Sequence, residues 1–136
     1  MKYPLRVVSV ERSLFEGEVE YLIANGAEGE LGVLARHAAL MTILKPGALN
    51  IQETYGGPEQ LLFVGGGFLE VLPDRVTVLA DVAEHADEIS IEHAEEARKR
   101  AQERLAGTLT AAEEVEFQNA LAMAEARLRL ARARRG

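Results

Sequence analysis

The chain has no cysteine, no tryptophan and only four prolines in 136 residues. Without cysteine there are no disulfides, no zinc–thiolate sites and no thiol nucleophile, a composition that suits a reducing compartment. Long apolar runs are missing as well. The longest stretch free of charge is residues 60–69, against roughly 18 apolar residues needed to cross a bilayer, and residues 1–10 hold no signal-peptide core. The expectation is a soluble, cytoplasmic protein. Positive charge is scarce: 15 Lys and Arg against 22 Asp and Glu give a net charge of −7 and a pI near 5.0. This argues against a whole-surface grip on nucleic acid, so any basic function must be local. Phosphate and hydrolase signatures are also missing. No G-x-x-x-x-G-K-[ST], H-E-x-x-H or G-x-S-x-G occurs, and His37, His85 and His93 fit no zinc spacing. No catalytic residue and no metal site is expected, and His37 reads as a surface or interface residue.

What is present is enough apolar surface for a core, at 48% of residues. It is distributed unevenly. All four prolines and ten of the twelve glycines lie at or before position 73, between short runs rich in Val, Ile, Leu and Phe. Such runs predict strands at 5–11, 17–23, 31–34, 40–44, 48–53, 60–64, 68–72 and 75–82. Eight to ten short strands imply an all-β sandwich or barrel. Turns are expected at Gly56-Gly57-Pro58 and at Pro73-Asp74. Gly65-Gly66-Gly67 precedes a strand rather than a helix, so it reads as a bulge or a close backbone approach and not as a phosphate cradle.

From Glu84 onward proline disappears, alanine dominates and the period becomes helical. A first helix is predicted from Ser90, as N-cap, to Leu105, with Ile91, Ala94, Ala97, Ala101 and Leu105 on one face and Gly107 as its stop. Thr110 and Glu113 form a capping-box pattern, after which Phe117, Leu121, Ala124, Leu128 and Ala131 repeat along a second helix. The expected fold is therefore an N-terminal all-β sandwich over 1–84 followed by an antiparallel two-helix hairpin over 85–136. Three i,i+4 ion pairs are expected on its surface: Glu95 with Lys99, Glu96 with Arg100 and Glu125 with Arg129. An alanine face buries little area, since each buried CH₂ is worth about 0.8 kcal/mol, so the hairpin reads as detachable. Charge is polarised along it. Residues 84–125 carry four basic and eleven acidic side chains, whereas Arg127, Arg129, Arg132, Arg134 and Arg135 crowd the end. Complementing the helix dipole is one reading of this; the other is docking of the basic end on an acidic protein surface, since a dipole does not require five arginines, and RNA or anionic lipid is weakened by the lack of interleaved aromatics.

Four segments then carry a resemblance: LFEGEVE at 14–20, EGELGVLARHAALMTILKPG at 28–47, GGGFLEV at 65–71 and VTVLAD at 76–81. In order and spacing the chain resembles the epsilon subunit of bacterial F-type ATP synthases, over essentially its whole length. The resemblance implies a non-catalytic subunit of the central rotor, which couples proton flow through the membrane ring to ATP synthesis. Its sandwich would hold the gamma subunit and rest on the c-subunit ring, with Glu30 and His37 as ring contacts. Its helices would reach the alpha and beta catalytic subunits and oppose ATP hydrolysis, the arginines at 127–135 meeting an acidic stretch of beta. It would lie at the cytoplasmic face of the bacterial plasma membrane, peripheral, and bound to the membrane only through the complex. Some members of the family bind ATP through I/L-D-x-x-R-A at the first helix. Here Ser90 and His93 replace the Asp and the Arg, which leaves Glu84, Ile89 and Arg100 as candidates for a weak regulatory ATP site and no other cofactor. The rival from another class is a free-standing β-sandwich binding module with a helical oligomerisation tail, which would not assemble with gamma.

Overall fold

The computed structural model describes residues 1–135, with side-chain surroundings through residue 133. The chain divides into two compact units, Met1–His85 and the residues from Ala86 onward.

The first unit holds ten strands: β1 (Tyr3–Ser9), β2 (Ser13–Val19), β3 (Tyr21–Gly26), β4 (Gly29–Leu34), β5 (Leu40–Leu44), β6 (Gly47–Gln52), β7 (Glu59–Val64), β8 (Gly67–Leu72), β9 (Arg75–Ala80) and β10 (Ala83–His85). They pair in the order β10-β7-β6-β3-β5-β8-β9-β1-β2, with β4 beside β3. Neighbours are antiparallel except β1 and β9, which run parallel. The path folds over one core, into which alternate residues point. In β1, Tyr3, Leu5 and Val7 face inward and Pro4 and Arg6 outward. Leu22, Val33, Leu49, Ile51, Leu69 and Val78 fill the interior. Tyr3 brings a hydroxyl into this core, and it donates to the Val33 carbonyl at 2.6 Å. Burial first, then the neighbouring Tyr21, push its pKa up.

Three sequence expectations are corrected here. The single strand predicted at 17–23 is two strands that break at Glu20. β2 pairs with β1 whereas β3 pairs with β4 and β6, so the chain must turn from one end of the pairing order to its middle. The Glu20 carboxylate holds that corner, accepting from the Tyr55 backbone N–H at 2.9 Å and from the Met1 ammonium at 3.1 Å. The helical period expected from Glu84 onward starts later, while the first helix begins after Ser90 as expected. Residues 83–85 first add β10 to β7, and a 3-10 turn, Ala86–Glu88, follows. The expected i,i+4 pairs are not closed among the described residues, and of their carboxylates Glu95 turns instead to Arg132 of the other helix at 3.2 Å.

The glycine cluster is a site of close backbone approach. Gly66 and Gly67 have φ of 97° and 128°, and a Cβ on Gly67 would run into the Leu79 carbonyl and lie 2.9 Å from the Ala80 Cα. The second unit holds α1 (Ile91–Leu105) and α2 (Ala111–Arg135), packed against each other. Ser90 caps α1, its hydroxyl accepting from the His93 N–H at 3.2 Å. Gly107 follows the helix without adopting the left-handed conformation, and Ala106 caps it in a right-handed one. Thr110 and Glu113 form the reciprocal capping box at 3.1 and 3.2 Å. Ala94, Ala101, Ala124, Leu128 and Ala131 are buried, as are Ala126 and Leu130 on a second strip of α2, and the 3-10 turn packs on α2.

Candidate interaction surfaces

Register defines an apolar row on the outer face of the sandwich. Ile43 of β5 lies opposite Phe68 of β8, Phe68 opposite Leu79 of β9, and Leu79 opposite Val8 of β1. Ile43, Phe68 and Leu79 are 59%, 48% and 52% exposed, and Met41, two residues along β5 on the same face, is 65% exposed. The next row is polar: Glu16, Arg6, Thr77 and Glu70 lie in register beside Met41. An exposed apolar row bordered by charge is a candidate protein-binding surface. Sequence reasoning did not single out these residues. The signal was there, because β5 (Leu-Met-Thr-Ile-Leu) carries apolar side chains on both of its faces, where a half-solvated strand should alternate.

Beside this row a groove of about 560 Å³ opens between the β3–β4 hairpin and β5, with Glu28, Glu30, Leu31, Leu40 and Met41 among its lining residues. Glu30 is exposed near the start of β4, opposite Asn25. His37 is half-buried in the β4–β5 turn, beside Arg36 with its left-handed φ of 63°. The His37 N–H donates to the Leu34 carbonyl at 3.2 Å, and its Nδ1 lies 2.8 Å from the Ala38 carbonyl. At about 3.4 Å per residue, the four steps from Glu30 to Leu34 span about 14 Å. The fold therefore places Glu30 and His37 at opposite ends of β4, as two points of a broad surface and not as one site.

The remaining candidates belong to different elements. Glu84 sits in β10 opposite Phe63, the Ile89 side chain is buried, and Arg100 is exposed on α1. Arg100 lies nine residues beyond the first residue of α1, about 14 Å along its axis, and is therefore remote from the helix start. On α2, Arg129 and Arg132 are exposed and Arg127 is half-buried. At about 100° per residue, Arg129 and Arg132 share a face and Arg127 points roughly 150° away. The arginines encircle the helix end rather than forming a stripe. The side chains of Arg134 and Arg135 lie outside the described residues. Among the described residues no helix is long and apolar enough to cross a membrane.

Comparison with known proteins places this architecture. The model of the ATP synthase Delta/Epsilon chain beta-sandwich domain matches residues 2–86. An ATP synthase epsilon chain from Dehalococcoides mccartyi is 46% identical over 98% of this chain and 95% of its own length. One from Psychrobacter sp. is 50% identical over 74% of this chain and 72% of its own length. Among solved structures, a chain of the Euglena gracilis mitochondrial ATP synthase, seen with OSCP, F1 and c-ring, superposes with a TM-score of 0.79 at 25% identity, covering 91% of this chain and 78% of its own. A chain of the central stalk and c-ring of the Tetrahymena thermophila mitochondrial ATP synthase shares the fold, with a TM-score of 0.72 at 14% identity over 96% and 97% of the two chains. With its sandwich matched by the family model and relatives nearly half identical along it, the chain belongs to the ATP synthase epsilon-chain family.

Proposed function

We propose that the chain is a non-catalytic central-stalk subunit of an F-type ATP synthase, which transmits torque and regulates ATP hydrolysis without itself breaking bonds. The observation that carries this reading is the exposed row Ile43, Phe68 and Leu79 with Met41 beside it. Such a row is costly to leave in water and gains its place when a partner covers it. The partner is the gamma subunit, the shaft of the rotor. Glu30, beside the groove, and His37, at the far end of β4, face the polar loops of the c-subunit ring, where exposed hydrogen-bonding groups suit a polar contact. Membrane association at the cytoplasmic face is then indirect, through the complex.

The helical unit is the regulatory part. Its basic end, Arg127, Arg129 and Arg132 with Arg134 and Arg135, engages an acidic stretch of the beta subunit and slows hydrolysis, with the alpha subunit alongside. ATP binding at the start of α1 adds little, because Ser90 spends its hydroxyl on the helix cap and His93 lacks the permanent fork of an arginine. The test is assembly. The native chain co-purifies with gamma, and Phe68→Glu or Leu79→Glu reduces that affinity at least a hundredfold while the far-UV spectrum stays native. If both variants bound gamma as tightly as the native chain, the docking face would be wrong. Removal of residues 86–136 raises hydrolysis by the reconstituted complex, and an unchanged rate would remove the regulatory role.

A further inference from the structure

The two helices of the second unit are tied at both ends by polar contacts of different kinds. At the closed end the ties are multiple and local. Glu113 accepts from the Thr110 N–H and, through Oε2, from Arg104 Nη2 at 3.3 Å, and the Arg104 guanidinium also sits 4.6 Å from the centre of the Phe117 ring. At the open end Arg132 Nη2 pairs across the helices with Glu95 Oε1 at 3.2 Å, with the two side chains 51% and 48% exposed. Between the ends the buried seam is largely alanine, at Ala94, Ala101, Ala124 and Ala131, which contributes little area to hold the helices together.

Arg132 thus faces two claims on its charge. It belongs to the basic end proposed above to meet an acidic partner surface, yet in this conformation Glu95 already satisfies it. We infer that Glu95 is an internal counter-ion that restrains the basic end, so that engagement of the acidic partner proceeds by exchange of one carboxylate for another at Arg132. The inference rests on the basic-end reading of the previous subsection and adds its regulation. An exposed ion pair contributes modestly, in a range equivalent to about a two- to fivefold change in equilibrium. That is the scale expected of a restraint that must be released in use rather than of a permanent staple. Glu95 reaches Arg132 across 37 residues of chain, so the restraint exists only while the helices are paired. Arg104 and Glu113 have no comparable second claim, since their ties close within the turn that joins the helices.

The test uses the full chain, alone and in reconstituted ATP synthase. Glu95→Gln should lower ATP hydrolysis by the complex about two- to fivefold, because Arg132 is released toward the partner, and should raise hydrogen exchange in residues 124–133 of the isolated chain by a similar factor. Arg132→Gln should raise the same exchange but increase hydrolysis. The exchanged pair Glu95→Arg with Arg132→Glu should restore slow exchange while hydrolysis stays high, an outcome that a purely structural ion pair does not produce. Unchanged or increased hydrolysis in Glu95→Gln would overturn the counter-ion role. If joint replacement of Arg127, Arg129 and Arg132 by Gln left hydrolysis at the native rate while Glu95→Gln still loosened exchange, the basic-end reading itself would fall, and the regulation with it.

Discussion

Gly29 and Gly67 form a matched pair for measuring what close backbone approach contributes to this sandwich. Their φ values are 127° and 128°, a region that L side chains rarely adopt, so alanine at either position carries nearly the same conformational cost. That cost is about 1–3 kcal/mol, less about 0.4–1 kcal/mol recovered by stiffening the unfolded chain. Their surroundings differ. A Cβ on Gly29 meets nothing within 4 Å, whereas on Gly67 it collides with the Leu79 carbonyl oxygen and approaches the Ala80 Cα to 2.9 Å. Both obstacles are backbone atoms of β9, held by the ladder that pairs Gly67 with Ala80 and Phe68 with Leu79. No rotamer change relieves the clash, so the strands must part. Overpacking of this kind adds about 1–3 kcal/mol. Gly67→Ala should therefore cost about 2 kcal/mol more than Gly29→Ala, and should also weaken gamma binding by displacing Phe68 and Leu79. Urea unfolding followed by tyrosine fluorescence is the assay. All three tyrosines, Tyr3, Tyr21 and Tyr55, lie in the first unit and no tryptophan obscures them. Equal destabilisation of the two variants, within about 0.5 kcal/mol, would refute the steric reasoning and leave only the φ cost.

Three further outcomes follow from single contacts. Tyr3→Phe removes the buried hydroxyl that donates to the Val33 carbonyl, so the sandwich should lose about 1 kcal/mol in the same urea titration. Arg36 holds a left-handed φ of 63° at a cost of about 1–2 kcal/mol, so Arg36→Gly should raise stability by up to about 1 kcal/mol after the entropy of glycine is subtracted; a measured loss would show that the arginine side chain contributes to the turn. Glu113 has its pKa lowered by the backbone N–H of Thr110, then by the Thr110 hydroxyl, and to a smaller extent by Arg104. A depressed carboxylate stabilises the fold above its unfolded value and loses that contribution as pH falls through its folded value. Helix content followed by circular dichroism should therefore decline below the usual carboxylate pH of about 4.5, and Thr110→Ala, at a cost of about 1 kcal/mol, should remove only the hydroxyl's smaller share of that pH dependence and keep the larger share of the backbone N–H.

Local chemistry was legible because it closes over a few residues. Thr110 and Glu113 sit three apart and bond each other's backbone whatever surrounds them, and Ser90 caps α1 in the same way. The change from strands to helices followed from where proline and glycine stop, and the Pro73-Asp74 turn from the two-residue gap between β8 and β9. By itself, then, the sequence determined the two classes of structure, their order and the ends of the helices. Only the tertiary structure decided which apolar face of β5, β8 and β9 points inward. A strand apolar on both faces satisfies the core with either, and register with neighbours distant in the chain makes the choice. The break at Glu20 has the same origin, since strands paired in different parts of the sheet cannot run straight through. So has the partner of Glu95, because helix propensity offers Lys99 one turn away and only the folded hairpin brings Arg132, 37 residues on, within reach.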